Sequence, residues 1–340
     1  MLTMDLKETI FALCRADGAS GSEGNAAETA LSMLREYCPE AEIIHGNVIG
    51  TLGETDESKP TLVLDAHIDQ VGFIVTYMTD DGFIKVGDLG GIDRRLLPAQ
   101  NVTVHGKRDI KGVICSVPPH LSDGEKVLKM SDVAVDCGMS KAELEEIVSP
   151  GDTITYDIDC RELLGQRITA RSLDDRCGVA AILLALDILK EHSTAYNVTV
   201  IFSSQEELGE RGAKIGAFRI DPDIALAVDV SFGLSDSEER EKCGELGKGA
   251  MIGISPCLSR DISDRLISTA RVVEIPYQIE VMNGSTGTNA DRYSVNREGA
   301  KTCTISIPLR NMHTPAEVID LRDVRAAAEL IAEFVKETEE

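Results

Sequence analysis

The chain predicts an α/β fold: a helix-covered mixed β-sheet with a small β-barrel inserted into it. Three observations carry that expectation. Apolar strand-like runs alternate with helical periodicity at the start of the chain and again from about residue 164 onward, the rhythm of a sheet layered by helices. Between about 70 and 163 the texture changes to closely spaced short β-like pieces split by Gly, Pro and Asp, which suits a small barrel. A helical stretch running to about residue 190 is apolar on several faces, so it belongs inside the molecule.

Taken in order, residues 4–16 and 23–37 show helical apolar spacing, with a Gly/Ser-rich turn at 18–24 between them. Strands are expected over 42–52 and 61–66, and His67 and Asp69 follow the second. In the insert, Phe73–Tyr77, Phe83–Val86, Val102–His105 and Gly112–Val117 read as strands, and 140–147 as a short helix. Ser172, with an acid three residues on at Asp175, fits a capping box opening the apolar helix. Strands at 198–204, 224–229, 250–254, 277–281 and 302–307 then alternate with helices at 211–218, 259–272, 288–296 and 322–338. The division is therefore 1–69 plus 164–340 for the layered α/β domain and 70–163 for the barrel.

Composition narrows the function. A net charge of −24 disfavours nucleic acid and anionic membrane surfaces as partners. The longest apolar runs are far short of a membrane span. The N-terminal stretch is acidic and has no basic-plus-apolar leader, which implies a cytoplasmic protein. Nine scattered cysteines without a CxxC pair imply reduced thiols, neither a disulfide framework nor a zinc ribbon. No GxxxxGK[ST], GxSxG or HExxH motif is present.

What remains is a set of potential ligands at strand ends and helix starts: His67/Asp69, Asp174/Asp175, Glu206/Glu207, Asp229 and His313. Each alone is ordinary in so acidic a chain. Their joint placement points to chemistry, because α/β proteins collect it at the carboxyl ends of strands. Two histidines with several carboxylates suit divalent zinc, cobalt or manganese. Adjacent side chains after a strand point opposite ways, so Glu206 and Glu207 are expected to do different jobs.

The stretches AHIDQVGF (66–73), RSLDDRCG (171–178), SSQEELGERGA (203–213), AVDV (227–230) and RNMHTP (310–315) resemble the signature set of the M42 metallo-aminopeptidases. That family takes in tetrahedral, deblocking and glutamyl aminopeptidases and proteins once labelled endoglucanase M. The insert stretch LPAQNVTVHGKRDIKGVICSVPPHL (97–121) resembles it too. The resemblance implies an aminopeptidase that removes N-terminal residues from short peptides, with two divalent metal ions per subunit, zinc foremost. It implies His67, Asp174, Glu207, Asp229 and His313 as metal ligands, Asp174 bridging the two ions. It implies Glu206 as the general base acting on the metal-held water, and Asp69 as the partner that orients His67. It also implies a homo-oligomer, a tetrahedral dodecamer built from dimers. Gln70, Ser255-Pro256-Cys257, Asn289 and Asn311 depart from the family pattern without removing a ligand. Asn289 and the 284–290 loop therefore bear on specificity.

Three alternatives stay open at this point. A metal-dependent deacylase or carboxypeptidase of small amino-acid derivatives would use the same chemistry. A glycosidase would need only a pair of acids, but the chain has no Trp and 4% aromatics for stacking sugars. A non-catalytic scaffold would be expected to have lost ligands, and none is lost.

Overall fold

The computed structural model describes residues 4–121, 127–236 and 239–337. In chain order the elements are α1 (Leu6–Arg15), α2 (Gly24–Leu34), β1 (Glu42–Ile44), β2 (Asn47–Thr51) and β3 (Thr61–His67). There follow β4 (Gly72–Met78), β5 (Phe83–Leu89), β6 (Asn101–His105), β7 (Asp109–Ile114), β8 (Ala134–Asp136), α3 (Lys141–Glu145) and β9 (Thr153–Tyr156). Next come β10 (Arg161–Glu162), β11 (Arg167–Ala170), α4 (Leu173–Leu189), β12 (Asn197–Ser203), α5 (Arg211–Ile220) and β13 (Ile224–Phe232). The last are β14 (Ala250–Ile254), α6 (Arg260–Val272), β15 (Tyr277–Val281), α7 (Ala290–Tyr293), β16 (Lys301–Leu309), β17 (Glu317–Asp320) and α8 (Leu321–Val335).

Eight strands form one mixed sheet in the order β1-β2-β12-β3-β13-β16-β14-β15. Its four central strands, β12, β3, β13 and β16, are mutually parallel. Their carboxyl ends therefore share one edge, although they lie far apart in the chain. Alternate residues of β3 face opposite layers. Leu62 and Leu64 join the large core with α4 and α8, and Val63 joins the smaller one with Ala213 and Ala217 of α5. Helices thus cover both faces, as the alternating pattern predicts. From Cys177 to Leu189, every residue of α4 except Ile188 is buried, which is why it is apolar nearly all round.

β4, β5, β8, β7, β6 and β9 close a barrel. Its interior is filled by Phe73, Val75, Ile84, Val102, Val104 and Ile154. β7 alternates exposed and buried residues along its length, so one face of the strand packs inward. β10, β11 and β17 make a separate three-stranded sheet.

Several local expectations are corrected. The stretch 42–52 is two antiparallel strands, because His45 and Gly46 both take positive φ (51° and 85°) and reverse the chain. Helix 288–296 is a short Ala290–Tyr293 turn. The capping box forms at Ser140 with Glu143, opening α3. At Ser172 no cap bond forms: Ser172 is left-handed, and Asp174 and Asp175 are outside helical geometry. Asp175 instead accepts from the Gly178 N–H at 3.1 Å, so the regular helix starts one residue after it. The Asp174–Asp175 peptide is cis. Among the described residues no disulfide joins any of the cysteines, and no helix is long and apolar enough to cross a membrane.

Candidate metal centre

Four adjacent parallel strands supply most of the site. His67 ends β3, Glu206 and Glu207 follow β12, Asp229 lies in β13, and His313 follows β16. Asp174 enters from the non-helical start of α4. The six side chains all line one cavity of about 820 Å³.

Asp174 is at its centre. One carboxylate oxygen lies 3.0 Å from Nε2 of His67, and the other lies 3.2 Å from Nε2 of His313. Glu207 faces His313 at 3.2 Å, and Asp229 faces His67 at 4.0 Å. Ligand bonds of about 2.0–2.2 Å in a tetrahedral shell put neighbouring donors about 3.3–3.6 Å apart. The separations here bracket that spacing, so the donor set fits divalent ions. Nitrogen and carboxylate donors together suit zinc, cobalt or manganese.

Charge balance supports the same fit. Four carboxylates share a mostly buried volume with two imidazoles. Burial pushes the Glu206 carboxyl up to about 9, and Asp229, Glu207 and Asp69 add to the rise. Burial likewise pushes Asp229 up to about 8, with Asp174 and Glu207 adding to it. Burial opposes charge on His313, but its hydrogen bonds to Asp174 and Glu207 prevail and hold it up at about 11. Such a crowd of buried negative groups calls for cations.

Buried acids hold the backbone of four of the five candidate ligands, all but Asp229, and of Glu206. Asp69 accepts from the N–H groups of Glu206 and Glu207 at 2.9 and 3.1 Å. The His67 ring also meets Asp69, through its carbonyl oxygen at 3.1 Å and its carboxylate at 3.5 Å. Asp175 accepts from the His67 N–H at 3.2 Å. Glu317 accepts from the N–H groups of Asp174 and His313 at 3.1 and 3.0 Å. Sequence reasoning missed Glu317. Its one signal is an acid four residues after His313, at the first residue of a strand.

Glu317→Ala is expected to leave two buried N–H groups without partners, at about 1–3 kcal/mol each. Metal affinity should fall about 10–100-fold, the usual effect of removing a group that orients ligands. Metal titration against a competing chelator measures it.

Two further contacts were not legible. A Cβ at Gly90 would stand 3.0 Å from the Glu207 carboxylate, and one at Gly91 would stand 3.2 Å from Nδ1 of His313. The loop after β5 thus packs its bare backbone onto two of the candidate ligands. Behind the acid pair, Gly212 sits so close that a Cβ would be 2.3 Å from the Ser204 carbonyl and 2.4 Å from Asn47 Oδ1. That close approach keeps α5 pressed against the strand end that presents Glu206 and Glu207. Ser285, Thr286, Gly287 and Thr288 line the cavity, as the 284–290 loop was expected to do. Asn289 turns away and donates to Asp65 at 2.9 Å and to Ser203 at 2.7 Å. An acid at 289 would face the Asp65 carboxylate instead.

A layered α/β fold with an inserted barrel and a histidine–carboxylate cluster at the sheet edge defines a hydrolase of the metallopeptidase class. The sequence profile of the M42 glutamyl aminopeptidase family matches residues 46–330, and the chain belongs to that family. It is a peptide hydrolase, an aminopeptidase. The lysyl aminopeptidase of Pyrococcus furiosus is 31% identical, covering 97% of this chain and 96% of its own. An aminopeptidase structure from Desulfurococcus kamchatkensis superposes with a TM-score of 0.92 at 33% identity, covering 98% of this chain and 95% of its own. A Pyrococcus horikoshii TET1 peptidase, described as able to assemble into a tetrahedron or a large octahedral shell, gives a TM-score of 0.86 at 31% identity. That likeness covers 98% of this chain and 100% of the other.

Proposed function

We propose that the chain is a dinuclear metal-dependent aminopeptidase that removes N-terminal residues from short peptides, with Glu206 as its general base. One observation carries the reading: the two oxygens of Asp174 face different histidines. His67 and Asp229 would hold one ion, Glu207 and His313 the other, and Asp174 would bridge them. Divalent ions there would polarise the scissile carbonyl and make water nucleophilic at neutral pH. Glu206 takes a proton from the attacking water and passes it to the leaving amine. Its carboxylate lines the cavity and accepts no hydrogen bond from any described residue, so it is available for that transfer. Asp69 fixes the backbone beneath it.

Zinc is the favoured metal, with cobalt and manganese as the other candidates. The catalytic domain is 1–69 plus 164–340, and the 70–163 barrel serves assembly. The chain forms a homo-oligomer, a tetrahedral dodecamer built from dimers. Leu163, Leu164 and Val281, all left on the surface, supply apolar area for such contacts. The setting is the cytoplasm. Relatives named for lysyl and for glutamyl substrates both occur, so the preferred first residue is decided by the pocket.

Aminoacyl-p-nitroanilides and N-acyl amino acids, assayed with each metal, test the reaction. Release from the aminoacyl substrates, abolished by chelator and restored by zinc, is the expected result. Release only from N-acyl amino acids would overturn the aminopeptidase assignment.

A further inference from the structure

We infer that Glu280 selects substrates whose first side chain is a long aliphatic stem ending in a cation, lysyl or arginyl. The inference rests on the aminopeptidase reading of the neighbouring site.

Strand register places Glu280 relative to the metal ligands. Asp229 of β13 pairs with Ser306 of β16, Ser306 pairs with Met251 of β14, and Gly253 of β14 pairs with Glu280 of β15. Paired residues, and residues two apart along a strand, share a face. Asp229, Ser231, Ser306, Met251 and Glu280 therefore all stand on the face that carries the site. Gly253, the neighbour of Glu280 on β14, puts no side chain in the way. The Glu280 side chain reaches back along this face, and its two oxygens accept one hydroxyl each, from Ser231 and from Ser306 at 2.7 Å. Its carboxylate thus bonds directly to the hydroxyl of Ser306, the residue paired with Asp229, inside the same cavity.

Two neutral hydroxyls do not balance the charge of this half-buried carboxylate. Among the described residues Glu280 has no cationic partner. The cations lining the cavity, Arg240 and Lys242, lie on its solvent-exposed rim, and each is paired to an acid, Glu245 at 2.9 Å and Glu239 at 2.6 Å. Neither is held against Glu280. Met251 stands on this face level with Asp229, two residues along β14 from the partner of Glu280, and gives the cavity wall between them an apolar side chain. A side chain entering from the metal site would pass its methylenes along Met251 and bring its end to the carboxylate. A lysyl or arginyl stem matches that sequence of surfaces. A leucyl side chain would cover Glu280 without pairing it, and a glutamyl side chain would set two carboxylates together.

The test compares lysinamide with norleucinamide, which has the same stem without the ammonium. Binding to metal-loaded enzyme is measured by calorimetry, and lysyl, leucyl and glutamyl p-nitroanilides are assayed beside it. Lysinamide is expected to bind at least about tenfold tighter, because a site that pairs a buried charge rejects an analogue lacking its partner. Glu280→Gln keeps shape and both serine contacts, and it should shrink that ratio to about threefold or less. Norleucinamide binding by the variant reports that the pocket is intact. A ratio near one in the parent enzyme, a ratio unmoved in Glu280→Gln, or a glutamyl preference would overturn the inference. If no anilide were hydrolysed while the Glu280-dependent lysinamide preference held, the aminopeptidase reading would fail, and Glu280 would remain a recognition site for a cationic stem without a peptide substrate.

Discussion

Glu206→Gln enzyme is expected to carry its full complement of metal ions and to turn over about 10³–10⁴-fold more slowly, the upper part of the range for losing a general base. Glu206 and Glu207 are neighbours, yet their surroundings differ. The Glu207 carboxylate is committed to His313 at 3.2 Å, and its backbone N–H to Asp69 at 3.1 Å. The Glu206 N–H is fixed by the other oxygen of Asp69 at 2.9 Å, while its carboxylate faces the cavity. An amide at 206 keeps size and backbone support and removes only the capacity to take a proton. The check has two parts: elemental analysis of the loaded variant, and kcat on the best aminoacyl anilide. Unchanged kcat with normal metal content would remove Glu206 from its role. Lost metal would mean that Glu206 is a ligand and the base lies elsewhere.

The expectation that these two acids do different jobs rested on strand alternation, but β12 ends at Ser203 and both acids lie in the turn after Gln205, whose φ is 53°, so their different surroundings come from that turn. The convergence of His67, Glu206/Glu207, Asp229 and His313 was legible for a different reason. Each is at or near the carboxyl end of a strand, and the parallel centre of the sheet gathers those ends on one edge. The barrel was legible from its short, punctuated strands.

What was hidden depends on contacts that have no local pattern. Ser172 to Asp175 carries the letters of a capping box, but Asp174 must face two histidines, and the tertiary demand displaces the local one. Glu317 is one acid among 58, and only the folded chain shows that it grips the backbone of two candidate ligands, Asp174 and His313, at once. Glu280 was read as part of an ordinary strand. Its significance comes from Ser231 and Ser306, which lie on two other strands. Gly90 and Gly91 matter for the atoms they leave out, and no spacing rule shows what will pack against them.

Asp174→Asn is the sharper trial of the two-ion arrangement, and it is expected to reduce metal content from two ions per chain to one or fewer. Activity should fall at least about 10³-fold, since the arrangement that activates water is then incomplete. The reason is geometric. In the proposed arrangement a carboxylate would offer one oxygen to the ion at each histidine, whereas an amide would offer one oxygen and an NH₂ that cannot ligate. The Asp174 N–H keeps its bond to Glu317, so the substitution leaves the backbone support in place. His67→Ala serves as the contrast. It removes one ligand from one ion and leaves His313, Glu207 and Asp174 together, so about one ion per chain should remain. Two ions retained by Asp174→Asn at ordinary affinity would show that the histidines' ions do not share this side chain. The carboxylates would then have to be divided between two separate mononuclear sites, and Asp229, at 4.0 Å from His67, would become the principal acid of the first.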